Sequence, residues 1–209
     1  MTLQFIDVKS SRTAEVLARG SKAAAALLCE TAGHPVDLSV TDVDFLTLET
    51  RLAGAEIGEQ PAMAGVSQDF GGDLSGQAYL LFEASEGLAL VRMLLRQHRE
   101  PDFMTEIDQS ALTEIANIVI NACLDDLAKG NRGDISGTIP APVRGTLAAI
   151  LRGVHGQSVG AVILSLKLVF SLAPGEIAAE LMFVTPAERF AEFWRAAVRD
   201  IRIPVPLHG

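Results

Sequence analysis

The chain is poor in the features that mark several common function classes. It has only two cysteines in 209 residues, Cys29 and Cys123. Both fall on helical apolar patterns, which reads as buried thiols rather than a disulfide or a metal pair. A basic surplus is also missing: the formal net charge is -9, the pI is about 4.9, and Lys and Arg are scattered without a stripe. That argues against nucleic acid and against anionic membrane surfaces. The longest apolar runs, such as Val159–Leu166 and Ala23–Leu28, are far too short to span a bilayer. The opening Met1-Thr2-Leu3-Gln4-Phe5-Ile6-Asp7 has no basic region followed by an apolar core, so a cytoplasmic location is expected.

Metal and phosphate signatures are missing too. His34, His98, His155 and His208 lie far apart and form no His-Glu-x-x-His helix or Cys/His pair, so no metal site is expected. Arg132-Gly133-Asp134 lies among glycines, but no Gly-Lys-Ser/Thr follows to make a phosphate loop. Cys123 faces the apolar side of its helix with no His nearby in local spacing, a poor setting for a thiol nucleophile. Trp194 sits in a short amphipathic pattern, where core packing is the default.

The composition is that of a folded protein: 49% hydrophobic and 21% charged. Two long helical patterns stand out. The first runs from about Arg12 to Ala32 and is closed by Gly33 and Pro35; the second runs from about Glu106 to Lys129 and stops at Gly130-Asn131. Shorter helical patterns lie near Glu86–Gln97 and Pro186–Arg199. Strand signals occupy Val36–Val40, Gln77–Glu83, Gly145–Leu151, Ser158–Phe170 and Glu176–Val184, with Gly71-Gly72-Asp73 and Pro174-Gly175 as turns. The tail Ile201–Gly209, with prolines at 204 and 206, reads as extended.

Each half of the chain therefore has a long helix, then strands, then a shorter helix. Glu15 and Glu114 are 99 positions apart (114 − 15 = 99), and Tyr79-Leu80-Leu81-Phe82 is offset from Glu180-Leu181-Met182-Phe183 by 101 (180 − 79 = 101). The pattern predicts a duplicated α/β (α+β) domain spanning 1–209, with repeats at about 10–100 and 105–200. Their strands would share one antiparallel or mixed sheet, with the two long helices packed together on it.

The second long helix carries the candidate site. At about 100° per residue, Ser110, Glu114, Asn117 and Asn121 share one side, opposite Leu112, Ile115, Ala116, Val119, Cys123 and Leu127. Ile118 lies at the edge of the polar face, where it suits a contact surface. By itself such a face is most simply a solvated one, although two Asn residues on one helix call for a reason.

The full pattern is Ser110-x3-Glu114-x2-Asn117-x22-Pro140. It resembles the signature of the CheC/CheX/FliY family, which removes the phosphoryl group from chemotaxis response regulators, and the arrangement is most similar to CheC. The stretches Gly72–Phe82 and His34–Val40 look like the corresponding CheC turn and strands, and the resemblance runs from about Ser11 to Val198. It implies a CheC-like pseudo-twofold fold and a two-component signalling role as a phospho-aspartyl phosphatase (a hydrolase). In that role Asn117 orients the attacking water and Glu114 anchors the regulator, with Ser110, Ile118, Asn121 and Pro140 on the partner-binding face.

The implied partner is a phosphorylated CheY-like response regulator. Mg²⁺ is expected on that regulator, with no cofactor on this chain. CheC proteins can carry the signature twice. Here the first copy reads Ser11-x3-Glu15-x2-Ala18, with Thr41 at the proline position, which implies a degenerate first site. The alternative is a non-catalytic adaptor that binds a response regulator, a flagellar-switch protein or a CheD-like protein.

Overall fold

The computed structural model describes residues 12–58, 60–96, 103–155, 160–173 and 175–197. Ser11 and the tail 201–209 lie outside the described residues, as do the side chains of Glu15 and Trp194. The first half runs α1 (Arg12–Ala32), β1 (Asp37–Thr47), α2 (Leu48–Ala55), β2 (Met63–Gly72), β3 (Gly76–Glu83) and α3 (Ala84–Leu95). The second runs α4 (Glu106–Asn131), β4 (Ile135–Gly137), β5 (Ala141–Gly145), α5 (Leu147–His155), β6 (Ala161–Leu172), β7 (Gly175–Pro186) and α6 (Ala187–Ala197).

One antiparallel seven-stranded sheet holds both halves, in the order β1-β6-β7-β3-β2-β4, with β5 also on β2. The halves trade strands: β1 pairs with β6 of the second half, and β5 pairs with β2 of the first. At the centre, Leu80 pairs with Leu181, flanked by Tyr79–Met182 and Leu81–Glu180. A shift of 101 (181 − 80 = 101) exchanges the two flanking pairs. The offset read from sequence is thus that of a pseudo-twofold axis through the leucine pair.

α1, α3, α4 and α6 cover one face of the sheet and enclose the larger core, which includes Leu28, Leu90, Leu112, Leu124, Phe82 and Phe170. The other face is covered at one end by α2 and α5 over Leu81, Ile163 and Met182. Burying a large aliphatic side chain contributes about 1.5–3 kcal/mol, so the alternation along β6 and the stripe on α4 suffice to orient both elements. α1 and α4 pack closely because Gly20 has no side chain: a Cβ there would lie 3.0 Å from the Cys123 Cα. Cys123 is fully buried, and burial first, with Asp126 second, pushes its thiol up to about 12. Both cysteines are free; the half-buried Cys29 accepts from Val36 N through Sγ at 3.1 Å.

Two sequence expectations change. Gly145–Leu151 is not a strand: Thr146 caps a helix there through Ala149 N to Oγ1 at 3.2 Å. Ala148, Leu151 and Val154 are its buried face, so an apolar run of helical period stood where a strand was expected. The second long helix ends at Asn131, as expected from Gly130-Asn131, and is closed by Arg132 in the left-handed conformation (φ 54°), with Gly133 N donating to the Ala128 carbonyl at 2.9 Å. β1 extends to Thr47, well beyond Val40, because β6 offers a partner along its whole length. α2, β2, β4 and β5 carry no counterpart in the sequence reading.

Among the described residues no helix is long and apolar enough to cross a membrane.

Candidate functional site

α4 is pinned at its start by a capping box. Asp108 N donates to Thr105 Oγ1 at 3.3 Å, and Thr105 N donates to the Asp108 carboxylate at 2.9 Å. Leu112, Ile115, Ala116, Val119, Cys123 and Leu127 are all buried as the spacing predicts. The polar stripe therefore faces outward on a helix whose roll is set by its core contacts.

Along that stripe the residues differ in their freedom. Ser110 is exposed, and its hydroxyl donates to the Glu106 carbonyl one turn back at 2.9 Å. Glu114 is exposed and sits at the rim of a shallow apolar cleft of about 100 Å³ between α1, α3 and α4. Leu28, Ala32, Leu94, Leu95, Ile115 and Ile118 form its walls. Ile118 is half-buried and packs on the main core while lining the cleft, so its role is shared between the two.

Asn117 is half-buried. Its Oδ1 accepts from Asn121 Nδ2 at 2.7 Å, and its Nδ2 has no hydrogen-bond partner among the described residues. Asn121, expected to face a partner, instead commits both ends of its carboxamide inside the protein. Its Oδ1 accepts from Gln68 Nε2 at 3.2 Å. The same Gln68 nitrogen donates to the Thr138 carbonyl at 2.8 Å.

Gln68 on β2 is 2% exposed and was not singled out from the sequence. A signal existed: it lies in phase with the buried Val66 and Phe70, where an apolar residue is the default. Gly137 was missed as well. A Cβ there would sit 2.1 Å from Gln68 Nε2 and 2.7 Å from Asn121 Oδ1, so only glycine lets β4 cross this row of amides. Pro140 is half-buried in the segment Thr138-Ile139-Pro140 that separates β4 from β5, and it restricts Ile139 to extended conformations. Ile139 is 91% exposed, and Ile107, two turns before Glu114 on the same face, is 60% exposed.

The first signature copy falls on α1. Ala18 is half-buried there and presents no polar group, and Glu15 lies in the helix. Arg132-Gly133-Asp134 forms a closed turn, with Asp73 N donating to the Asp134 carbonyl at 2.9 Å and Asp134 N to the Asp73 carboxylate at 2.8 Å.

The second face thus offers a fixed carboxamide, a free carboxylate one turn away and two exposed isoleucines.

Residues 64–164 match the family model described as chemotaxis phosphatase CheX, a segment that includes Gln68, the whole of α4 and Pro140. A search of the curated proteins finds no match. Among solved structures, FliY from Thermotoga maritima is similar at a TM-score of 0.69 and 14% identity, covering 95% of this chain and 99% of that one. The FliM middle domain from Vibrio alginolyticus is similar at 0.61 and 14% identity, covering 88% and 99%. The chemotaxis protein CheX from Desulfovibrio desulfuricans is similar at 0.53 and 13% identity, covering 81% and 99%.

Proposed function

We propose a phosphatase function from one premise: the chain belongs to the CheC/CheX/FliY family, which the match over 64–164 and the shared fold support. Its substrate in this reading is a phospho-aspartyl, CheY-like response regulator. Water attacks phosphorus in line, the bond between phosphorus and the aspartyl oxygen breaks, and the regulator regains its carboxylate as inorganic phosphate leaves. Asn117 holds the water and Glu114 anchors the regulator, with a cationic side chain as the natural counterpart. The regulator's own acidic pocket holds Mg²⁺.

The observation that carries the reading is Asn117 itself: a half-buried carboxamide, hydrogen-bonded on one side and open on the other, one turn from an exposed carboxylate. Acyl phosphates are labile, so positioning alone supplies a large factor. A neutral amide does this without repelling the phosphoryl oxygens, as a second carboxylate would. The exposed Ile107 and Ile139 on either side suit a protein partner.

Decay of a Mg²⁺-loaded phosphorylated regulator, followed with and without the protein, tests this. Asn117→Ala should abolish most of the acceleration, about a hundredfold, while leaving complex formation intact. Glu114→Ala should weaken the complex. Hydrolysis that survives Asn117→Ala removes the assignment.

The likeness to the FliM middle domain favours a second reading, an adaptor that binds a regulator, a flagellar-switch component or a CheD-like protein without hydrolysis. Regulator binding with no acceleration of decay selects it.

A further inference from the structure

We infer that Gln68 and Asn121 are positioning residues that set which end of the Asn117 carboxamide meets the partner, and that the end presented is the Nδ2 donor. The inference rests on the phosphatase reading for its consequence but not for its geometry.

A carboxamide can face either way, and its two ends are distinguished by what they touch. Here the ambiguity is resolved by the backbone. The Thr138 carbonyl can only accept, so the Gln68 atom 2.8 Å from it must be Nε2. The second proton of that nitrogen points to Asn121, whose facing atom must then be Oδ1. Asn121 in turn meets Asn117 with Nδ2, so the facing atom of Asn117 is Oδ1. One carbonyl therefore determines three amide orientations in sequence. Reversing Gln68 would set carbonyl oxygens against Thr138 O and Asn121 Oδ1, which costs more than the partnerless Gln68 Oε1 it already has.

The arrangement is built tightly. Gln68 is 2% exposed, and Gly137 leaves no side chain between β4 and the row. An outward Nδ2 can donate to a phosphoryl oxygen, whose negative charge calls for a donor, or hold the attacking water through the lone pair not used in the attack. The bond from Asn121 also polarises the amide and strengthens that donation. Asn117 is then the group that touches the reaction, and Gln68 and Asn121 act through it.

The test that does not depend on activity is hydrogen exchange of the side-chain amides in the ¹⁵N-labelled protein. In the native chain the Gln68 and Asn121 amide protons should exchange slowly and those of Asn117 fast. Asn121→Asp keeps the shape and still accepts from Gln68 but cannot donate. Asn117 must then turn Nδ2 inward, and its protons should become about tenfold more protected, as a net hydrogen bond of ordinary strength allows. Protection of Asn117 in the native chain, or no change in the variant, overturns the inference.

The second test uses Gln68→Leu. With the phosphorylated regulator, kcat should fall about ten- to a hundredfold with KM unchanged; unchanged kcat removes the positioning role. If Asn117→Ala also leaves hydrolysis untouched, the phosphatase reading has failed, and the exchange data alone decide the orientation.

Discussion

The two halves of the molecule are built alike and together form two matching faces, one of which carries a polar row where the other carries hydrocarbon. Phe70 pairs with Gly137 as Phe170 pairs with Leu38, so the two phenylalanines and their partners occupy matching places. Two residues before each phenylalanine stand Gln68 in one half and Leu168 in the other, both buried. On the long helices the same correspondence sets Asn117 against Ala18 and Asn121 against Lys22. The face around Ala18 thus lacks a whole network, not only an asparagine. Leu38 and Leu168 fill the place of Gly137 and Gln68. The strands differ in the same way: β1 runs unbroken with an irregularity between Val40 and Asp42, while its counterpart is split into β4 and β5 around Thr138-Ile139-Pro140. Every amide contact along the row is a donor meeting an acceptor, although Gln68 Oε1 is left without a partner. The matching positions of the first face hold no such row, and an apolar core avoids the cost of a partly satisfied one.

The largest expected effect comes from separating the halves. Residues 1–102 expressed alone lose β6 from β1, β5 from β2 and β7 from β3. They should show no cooperative thermal transition by circular dichroism, and mixing with the complementary fragment should restore one. A cooperative melt of the fragment alone would mean that strand exchange is not what holds the halves together.

A moderate effect is expected near the pseudo-twofold axis, where Tyr79 and Glu180 hold matching positions. Burial by itself would raise the Glu180 carboxyl, but Arg51 at 2.7 Å, Lys167 at 2.8 Å and the Ser165 hydroxyl outweigh it and leave it below the usual carboxylate range. A depressed folded value stabilises the protein above the ordinary carboxylate range. That stability is lost as the pH falls through the folded value. Tyr79 behaves oppositely. Burial first, then Asp69, raises its phenol from 10.0 to about 12, so its contribution is full below the ordinary value and lost as the pH rises through the folded one. Urea midpoints measured across pH should decline at both ends. Glu180→Gln should make the acid decline shallower and Tyr79→Phe the alkaline one; slopes equal to the native protein's would refute the assignments.

The smallest effect is expected from trying to repair the first face. Ala18→Asn should add no measurable phosphatase turnover, because Leu38 and Leu168 offer its carboxamide no partner. A second active site arising from this one change would show that the row around Asn117 is dispensable.

Much of this was legible in the sequence. The roll of α4 followed from Leu112, Ile115, Val119 and Cys123, and the internal duplication from offsets near 100. Ser110, Glu114, Asn117 and Pro140 were readable as a spaced signature. Other features were hidden. α5 reads as a strand over 145–151 because its helical phase, Ala148-Leu151-Val154, is complete only when Val154 beyond that stretch is included. β2 is hard to read because Gln68 interrupts the apolar phase of Ala64, Val66 and Phe70, and Gly65 stands on its other face, each for a reason that lies elsewhere in the chain. A Cβ on Gly65 would meet the Leu80 carbonyl at 2.1 Å.

What the sequence determined by itself is what local period encodes: which faces of the helices are buried, where Glu114 and Asn117 point, and that the chain is a repeat. Tertiary structure alone decided how Asn117 is held. Gln68 lies 53 positions from Asn121 and 70 from Thr138, and they meet only because β2, β4 and α4 converge. Hydrogen-bond direction depends on the distance and polarity of atoms brought together by packing, and no periodicity along the chain records it.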